Sequence, residues 1–418
     1  DDPVYGRMTQ PGPMAWLEES GEAMLTPSPR RNVAFPAALA ALRDIEPTHP
    51  DPMPVPADKA GWLEGVRVLD LCNVIAGPHS VSYLSRFGAD VIKIDPATPF
   101  FDCWNTVIFG MTHMRGKQSV LLDIGSADGR KVFEALVRSV DIIVWNATDR
   151  QVKSMGLDAE GLRSLNPDAI FCQLDCFGGV RRGPRTDYLG YDDLVQAATG
   201  IMLRFGGSMQ TPEEHAHVGT IDVMCGFGAA LAVAAALYQK RKSGKAGRAR
   251  TSLSALSALA QMPFCYDYAG RAEFNEPSGP AARGYDALHQ LYQAKDAWIV
   301  IAASRKDLTR FKHVAGLEML PGLPSGEWER TLETVIPTVS AAIWIERFHA
   351  ADIGASICNN IETIRASSTR SADGQPGIDR GTYSFSTYKD HPSGHVVTYL
   401  DPYGVRPADA KVFALPPA

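Results

Sequence analysis

Asp222 stands in the run Val218-Gly219-Thr220-Ile221-Asp222-Val223-Met224-Cys225-Gly226, where a polar loop enters an apolar stretch of helical length. An acid among apolar neighbours must cap a helix, pair with a partner or do chemistry, because an unpaired buried charge is costly. Capping of the helix and catalysis fit the local sequence equally well, and both can hold at once. A second acidic run, Tyr191-Asp192-Asp193-Leu194-Val195-Gln196-Ala197, opens another helix, and its two acids are most simply first-turn residues favoured by the helix dipole.

Asn73-Val74-Ile75-Ala76-Gly77-Pro78 follows a strand and begins a helix, with Pro78 suited to the first turn and Gly77 leaving room for a close approach. Such a helix start can hold a phosphate on its unpaired N–H groups, but as an isolated motif it reads first as a plain strand-to-helix turn. Gly226-Phe227-Gly228 imitates part of a dinucleotide fingerprint, but Leu231 stands where the third glycine belongs, so tight helix packing explains these glycines better. From Lys240 to Arg250 there are six cations in eleven residues, at the end of a long helix whose dipole they offset, or else a site for cofactor phosphates. His215 and His217 lie two apart beside Glu213 and Glu214 in a polar loop, a spacing that gives no reason to assign a metal.

The elements that must position these residues are short apolar runs at Val66 to Leu71, Val91 to Ile94, Ser119 to Asp123, Asp141 to Val144 and Ala169 to Leu174, separated by amphipathic stretches. This alternation predicts an α/β fold with a Rossmann-like, mainly parallel sheet covered on both faces, in a large domain over 61–283. From Gly284 the rhythm changes. Leu288 to Gln293, a turn at Lys295-Asp296 and Trp298 to Ala303 make a hairpin, and helices follow to about Ala366, so 284–366 reads as a smaller α+β domain. Thr382 to Leu400 returns to β-like alternation, consistent with 367–418 rejoining the large domain. Residues 1–60 hold a short helical candidate over Ala37 to Asp44 and a proline-rich linker through Pro50, Pro52, Pro54 and Pro56.

Composition excludes several partners. A formal charge of -6 with 21% charged residues lacks the basic excess of nucleic-acid binders. The longest apolar stretch, Val223 to Tyr238, falls short of the roughly 20 residues a membrane span needs and reads as a buried helix. Seven cysteines (72, 103, 172, 176, 225, 265 and 358) contain no CxxC pair and sit mostly in apolar runs, as in a cytoplasmic protein without structural zinc.

In order along the chain, Gly65 to Leu71, Ala76-Gly77-Pro78, Gly88 to Pro96, Gly116-Lys117-Gln118-Ser119 with Leu122-Asp123, Asp141 to Asn146, Met155-Gly156-Leu157, Asn166-Pro167, Gly190-Tyr191-Asp192 with Gln196-Ala197, Gly219 to Asp222 and Gly244 to Ser252 resemble the class III CoA-transferase family. The resemblance covers nearly all of 61–418 and implies coenzyme A as an acyl-CoA cosubstrate, a carboxylic acid acceptor and no metal. It implies Asp222 as the nucleophile, forming an aspartyl anhydride and then an aspartyl-CoA thioester. It also implies CoA contacts at Ile75, Ala76 and Gly77, at Leu122, and at Asn146 and Ala147. Pro96 and Gly125 replace basic residues common in the family, leaving Lys93, Lys117, Arg150 or Lys153 to meet the phosphates, with Lys153 taken as the cofactor contact. Tyr191, Gln196 and Trp104 are implied at the substrate.

Two variants of this resemblance differ in outcome. The 2-methylacyl-CoA racemases share the same segments but place a histidine at the position of Tyr191, and a phenol is a poor base near neutral pH. A non-catalytic CoA-binding half of a larger protein is the other alternative. Family members form interlocked dimers, and the segments around Pro11-Gly12-Pro13, Thr26-Pro27 and Ala41-Leu42 resemble the family's C-terminal tail, ahead of a complete copy. That order implies either a homodimer or a fused homologous first half. Among fused members, Tyr268 to Gly279 is similar to the dimethylsulfoniopropionate CoA-transferase/lyases, which take acetyl-CoA as donor and release dimethyl sulfide; Trp104, Tyr266 and Tyr268 are then candidate walls for a sulfonium.

Overall fold

The structure, a computed structural model, describes residues 2, 4–25, 40, 61–98, 113–114, 116–206, 210–214, 219–272, 282–360, 384–388 and 397–401. The expected helix at Ala37 to Asp44, the proline-rich linker, Cys103, Trp104, His215 and His217 lie outside the described residues. The chain divides into two compact units, and each is taken by itself.

The first unit is built on a seven-stranded sheet. Its strands are β1 (Ala15–Leu17), β2 (Arg67–Asp70), β3 (Asp90–Asp95), β4 (Lys117–Leu121), β5 (Ile142–Asn146), β6 (Ile170–Asp175) and β7 (Arg248–Ser252), in the spatial order β1-β7-β6-β5-β2-β3-β4. All neighbours are parallel except β1, which pairs antiparallel with β7 through Trp16 and Arg250. Each strand expected between 65 and 175 is present, with ends moved by at most two residues. β1 was not anticipated, since the first 60 residues carried no strand pattern.

Parallel strands need crossovers, and helices on both faces supply them. One face carries α1 (Ala76–Arg86); α2 (Ala127–Arg138), α3 (Asp149–Ser154) and α4 (Ala159–Leu165) belong to the core of the other face, with Phe133, Val152 and Leu162 inside it. Beyond β6 come α5 (Asp192–Thr199), α6 (Thr220–Ser243) and α7 (Leu253–Ala260). The core on the α1 side joins Val68, Ile142 and Cys172 from the sheet to Ala229, Val233 and Ala236 from α6. Small residues let α6 approach closely. A Cβ on Gly226 would meet His79 and the Ala76 carbonyl within 2.9 Å, and one on Gly228 would lie 2.8 Å from Thr251 Oγ1. By length and composition α6 could cross a membrane, but half of its most apolar 18-residue window is buried in this unit. It is longer than its apolar run because Gly219 and Gly244, both at positive φ, bound it beyond both ends.

The second unit has a four-stranded antiparallel sheet, β8 (Gly284–Asp286), β9 (His289–Gln293), β10 (Trp298–Ala302) and β11 (Gly354–Ile357) in that order. The expected hairpin is β9 with β10. Helices α8 (Ser325–Val335) and α9 (Ala341–Ala350) close a core around Tyr292, Phe311, Trp344 and Phe348. The helical run stops at Ala350 rather than continuing towards Ala366, because β11 completes the sheet beside β10. Further on, β12 (Ser384–Tyr388) and β13 (Val397–Asp401) pair antiparallel with each other, where alternation in the sequence had indicated strands.

Candidate active site

From β2 the chain order runs one way to β3 and β4, while β5 lies on the other side, so a topological switch point falls between β2 and β5. Open α/β sheets bind ligands beyond the carboxyl ends of their strands at such a point. A cavity of about 840 Å³ lies there, lined by Leu71, Asn73 and Ala76 after β2, Asn146 at the end of β5 and Ala147 just after it, and Asp175 at the end of β6.

Asp222 lines this cavity and is 8% exposed. It is the third residue of α6, not its cap, which is Gly219 at φ 76°. Capping falls to another residue: Asp192 Oδ1 accepts the Asp222 backbone N–H at 2.7 Å. Asp192 is itself buried, and its other oxygen accepts from Gln196 Nε2. The acid expected only to favour its own helix therefore serves the start of α6. Burial, and then the charges of Asp192 and Asp193, push the Asp222 carboxyl up to about 7. A Cβ on Gly219 would lie 2.9 Å from Ile75 Cδ1, so the entry to α6 is packed directly on the entry to α1.

That second entry is held in an unusual way. Asn146 Oδ1 accepts the Asn73 N–H at 2.9 Å, and Asn146 Nδ2 donates to the Asn73 carbonyl at 2.8 Å. The reciprocal pair ties the ends of β5 and β2 together. Val74 then adopts φ 66°, a left-handed conformation that a β-branched side chain disfavours. Ile75 follows at the helix cap with no side-chain hydrogen bond, so the first turn of α1 is left for another partner.

Of the expected contacts, Ile75, Ala76, Leu122, Asn146, Ala147 and Tyr191 line the cavity with Asp222. Gly77, Gln196 and Lys153 are not among its lining residues. The space Gly77 leaves is filled from inside, since an added Cβ would collide with Cys72. Gln196 is fully buried and backs Asp192. Lys153 is exposed on α3, two residues beyond Gln151, which does line the cavity. Tyr268 packs on Tyr5 at 4.5 Å, and neither it nor Tyr266 is in the wall. Cys176, Tyr188 and Leu189 were not foreseen; they arrive on loop 176–191.

Lys93 and Lys117, candidates for the phosphates, are each 1% exposed at the side chain. Lys117 Nζ donates to Asp70 Oδ2 at 2.7 Å and to the Pro78 carbonyl at 2.8 Å. Lys93 Nζ pairs with Asp95 at 2.8 Å. Burial pushes the Asp70 carboxyl up, but the charges of Lys117 and Lys93 outweigh it and hold the group below its ordinary range. Lys117 thus braces the sheet and the start of α1, and Lys93 the end of β3. Three cations of the run from Lys240 to Arg250 are likewise engaged: Lys240 donates to the Asp168 carbonyl, while Arg248 and Arg250 pair with Glu18. Among the described residues lining the cavity there are three carboxylates, Asp123, Asp175 and Asp222, and no lysine, arginine or histidine.

The chain belongs to CoA-transferase family III, whose model matches residues 63–377. The chain is 48% identical over 420 residues to the CoA-transferase/lyase DddD of Marinomonas sp., an alignment spanning 99% of this chain and 50% of that protein. It therefore spans about half the length of that relative. It is 27% identical over 326 residues to acetyl-CoA:oxalate CoA-transferase of Acetobacter aceti, covering 71% of this chain and 81% of the other. Two solved structures share the fold: Rv3272 of Mycobacterium tuberculosis, with a TM-score of 0.63, 20% identity and coverage of 84% and 95%, and a CaiB/BaiF family protein of Brucella suis, with a TM-score of 0.60, 22% identity and coverage of 74% and 86%.

Proposed function

We propose that the chain transfers coenzyme A from an acyl-CoA donor to a carboxylic acid acceptor, with Asp222 as the covalent nucleophile. The observation that carries this reading is a buried Asp222 in the cavity wall whose backbone N–H is held by a second carboxylate, Asp192. Asp222 attacks the thioester carbonyl, the C–S bond breaks, and an acyl-aspartyl anhydride and CoA thiolate result. The thiolate attacks the aspartyl carbonyl, giving the aspartyl-CoA thioester and the released donor acid. The acceptor carboxylate then attacks that thioester, and the thiolate returns to the acceptor's carbonyl, restoring Asp222. Burial and the Asp192 and Asp193 charges destabilise the Asp222 anion, and this stress disappears when the group becomes a neutral anhydride or thioester. Amides at the helix start are suited to the oxyanions.

The acceptor we propose is a zwitterion of the dimethylsulfoniopropionate type, with acetyl-CoA as donor. Among the described residues the wall holds three acids, of which Asp175 is paired with Arg250, and no lysine, arginine or histidine, which disfavours a dicarboxylate, whereas a sulfonium offsets the acceptor's own negative charge and suits Tyr188, Tyr191 and Trp145. Once thioesterified, the acceptor has an acidified α-proton. A base takes that proton, the electron pair forms the Cα=Cβ bond, and the Cβ–S pair leaves with dimethyl sulfide to give an enoyl thioester, the lyase half of the reading. A second copy, as a homodimer or as a fused homologous first half, is part of the same proposal, since the relative DddD is twice as long.

The test is to incubate the protein with acetyl-CoA, trap with hydroxylamine and map the modified residue. The expected label is on Asp222; transfer that proceeds with Asp222 never labelled refutes the mechanism. Succinate proving a better acceptor than the sulfonium acid refutes the substrate assignment.

A further inference from the structure

Asp175, the last residue of β6, is a second buried acid in the cavity that the transfer steps leave unused. One of its oxygens accepts the Gly178 N–H, and Ser252 Oγ donates to the Gly178 carbonyl at 2.7 Å. Loop 176–191 starts at this clamp. Its far end supplies Tyr188 to Tyr191 to the cavity and leads directly into Asp192. Cys176 Sγ, donating to the Gly190 carbonyl at 2.9 Å, ties the two ends of the loop together.

The other oxygen of Asp175 accepts from Arg250 Nη2 at 2.9 Å. Arg250 is a hub. Its Nη2 also donates to Asp149 Oδ1 at 2.9 Å, and its Nη1 donates to Glu18 Oε1 at 3.3 Å. Arg182, from the middle of the loop, reaches the same hub by donating to Asp149 Oδ2 at 2.6 Å. Glu18 directly follows β1, and Glu18 and Glu19 fasten that segment to Arg248 as well. A planar guanidinium can serve three carboxylates in fixed directions, which an ammonium cannot.

We propose that Arg250 is a positioning residue for the cavity and Glu18 its outer anchor, so that the N-terminal segment, read from sequence only as a tail, takes part in shaping the site. Force on Glu18 reaches the cavity through Arg250, Asp175 and Gly178. The inference rests on the cavity being the acyl-CoA site.

A double-mutant cycle in the intact protein tests it, using Glu18→Gln, Asp175→Asn and the pair, with Arg250→Lys beside them and Asp222→Asn as control. The readouts are kcat and KM for acyl-CoA, and the melting temperature. We expect KM to rise about threefold in Glu18→Gln and about tenfold in Arg250→Lys, with smaller changes in kcat, and the Glu18 and Asp175 effects on KM to be non-additive. Strictly additive effects on KM, or a melting temperature that falls in Arg250→Lys while KM stays put, overturn the proposal. Should Arg250→Lys fail to fold, the Glu18/Asp175 cycle decides alone. If Asp222→Asn keeps full transfer, the reading of the site has failed; if that variant is dead and the cycle is additive, only this inference has.

Discussion

Asp222→Asn should abolish CoA transfer and at the same time make the protein more stable at pH 8. Unfolded, the Asp222 carboxyl titrates at its ordinary 3.8; folded, burial and then the Asp192 and Asp193 charges raise it to about 7. The native state therefore holds this proton over an interval in which the unfolded state has released it. Below pH 3.8 both states are protonated and the group costs nothing. Stability then falls as pH rises from 3.8 through 7, and the full cost is present above that. About three pH units at 1.36 kcal/mol each give roughly 4 kcal/mol, an upper figure that asparagine, similar in shape and uncharged, would recover. In a protein of this size that is several degrees of melting temperature. Urea unfolding or calorimetry of both proteins at pH 5 and pH 8 measures it. The stability gap should be wide at pH 8 and narrow at pH 5. A variant less stable than the parent at pH 8, or a gap independent of pH, refutes the reasoning.

Other perturbations follow from the same geometry. The pH profile of kcat/KM should rise with an acid limb near 7, and Asp192→Asn should move that limb to lower pH by removing a like charge, which a pH–rate series would show. Lys117→Met should cost about 3–5 kcal/mol by leaving Asp70 buried and unpaired, while Asp70→Leu with Lys117→Met should recover much of it, as denaturant titration would reveal. Gly226→Val should lower stability by about 1–3 kcal/mol and weaken acyl-CoA binding, since the added atoms push α6 away from the Ala76 carbonyl and His79 at the start of α1; melting and KM report both.

The five parallel strands between 65 and 175, the hairpin of β9 with β10 and the family were legible in the amino-acid sequence. They rest on periodicity and on motifs whose members are near neighbours in the chain, as with Ile142–Asn146 or Ala76-Gly77-Pro78. Asp222 was singled out for the same reason, an acid at the mouth of an apolar run. What Asp192 does was not visible, because its contact with Asp222 joins residues 30 apart, and as a local feature it was only a first-turn acid. Lys93 and Lys117 looked suited to phosphate until the sheet closed over them and matched them to Asp95 and Asp70. Gly77 left space, but Cys72 filled it. Arg250 sat in a run of cations read as a helix end, yet pairing of β1 and β6 with β7 set Glu18 and Asp175 beside it, 232 and 75 residues away. Local sequence determines which way each short segment turns and which of its faces is apolar; which charges meet is decided by the packing of distant segments, because electrostatic pairing depends on separation in space and not along the chain.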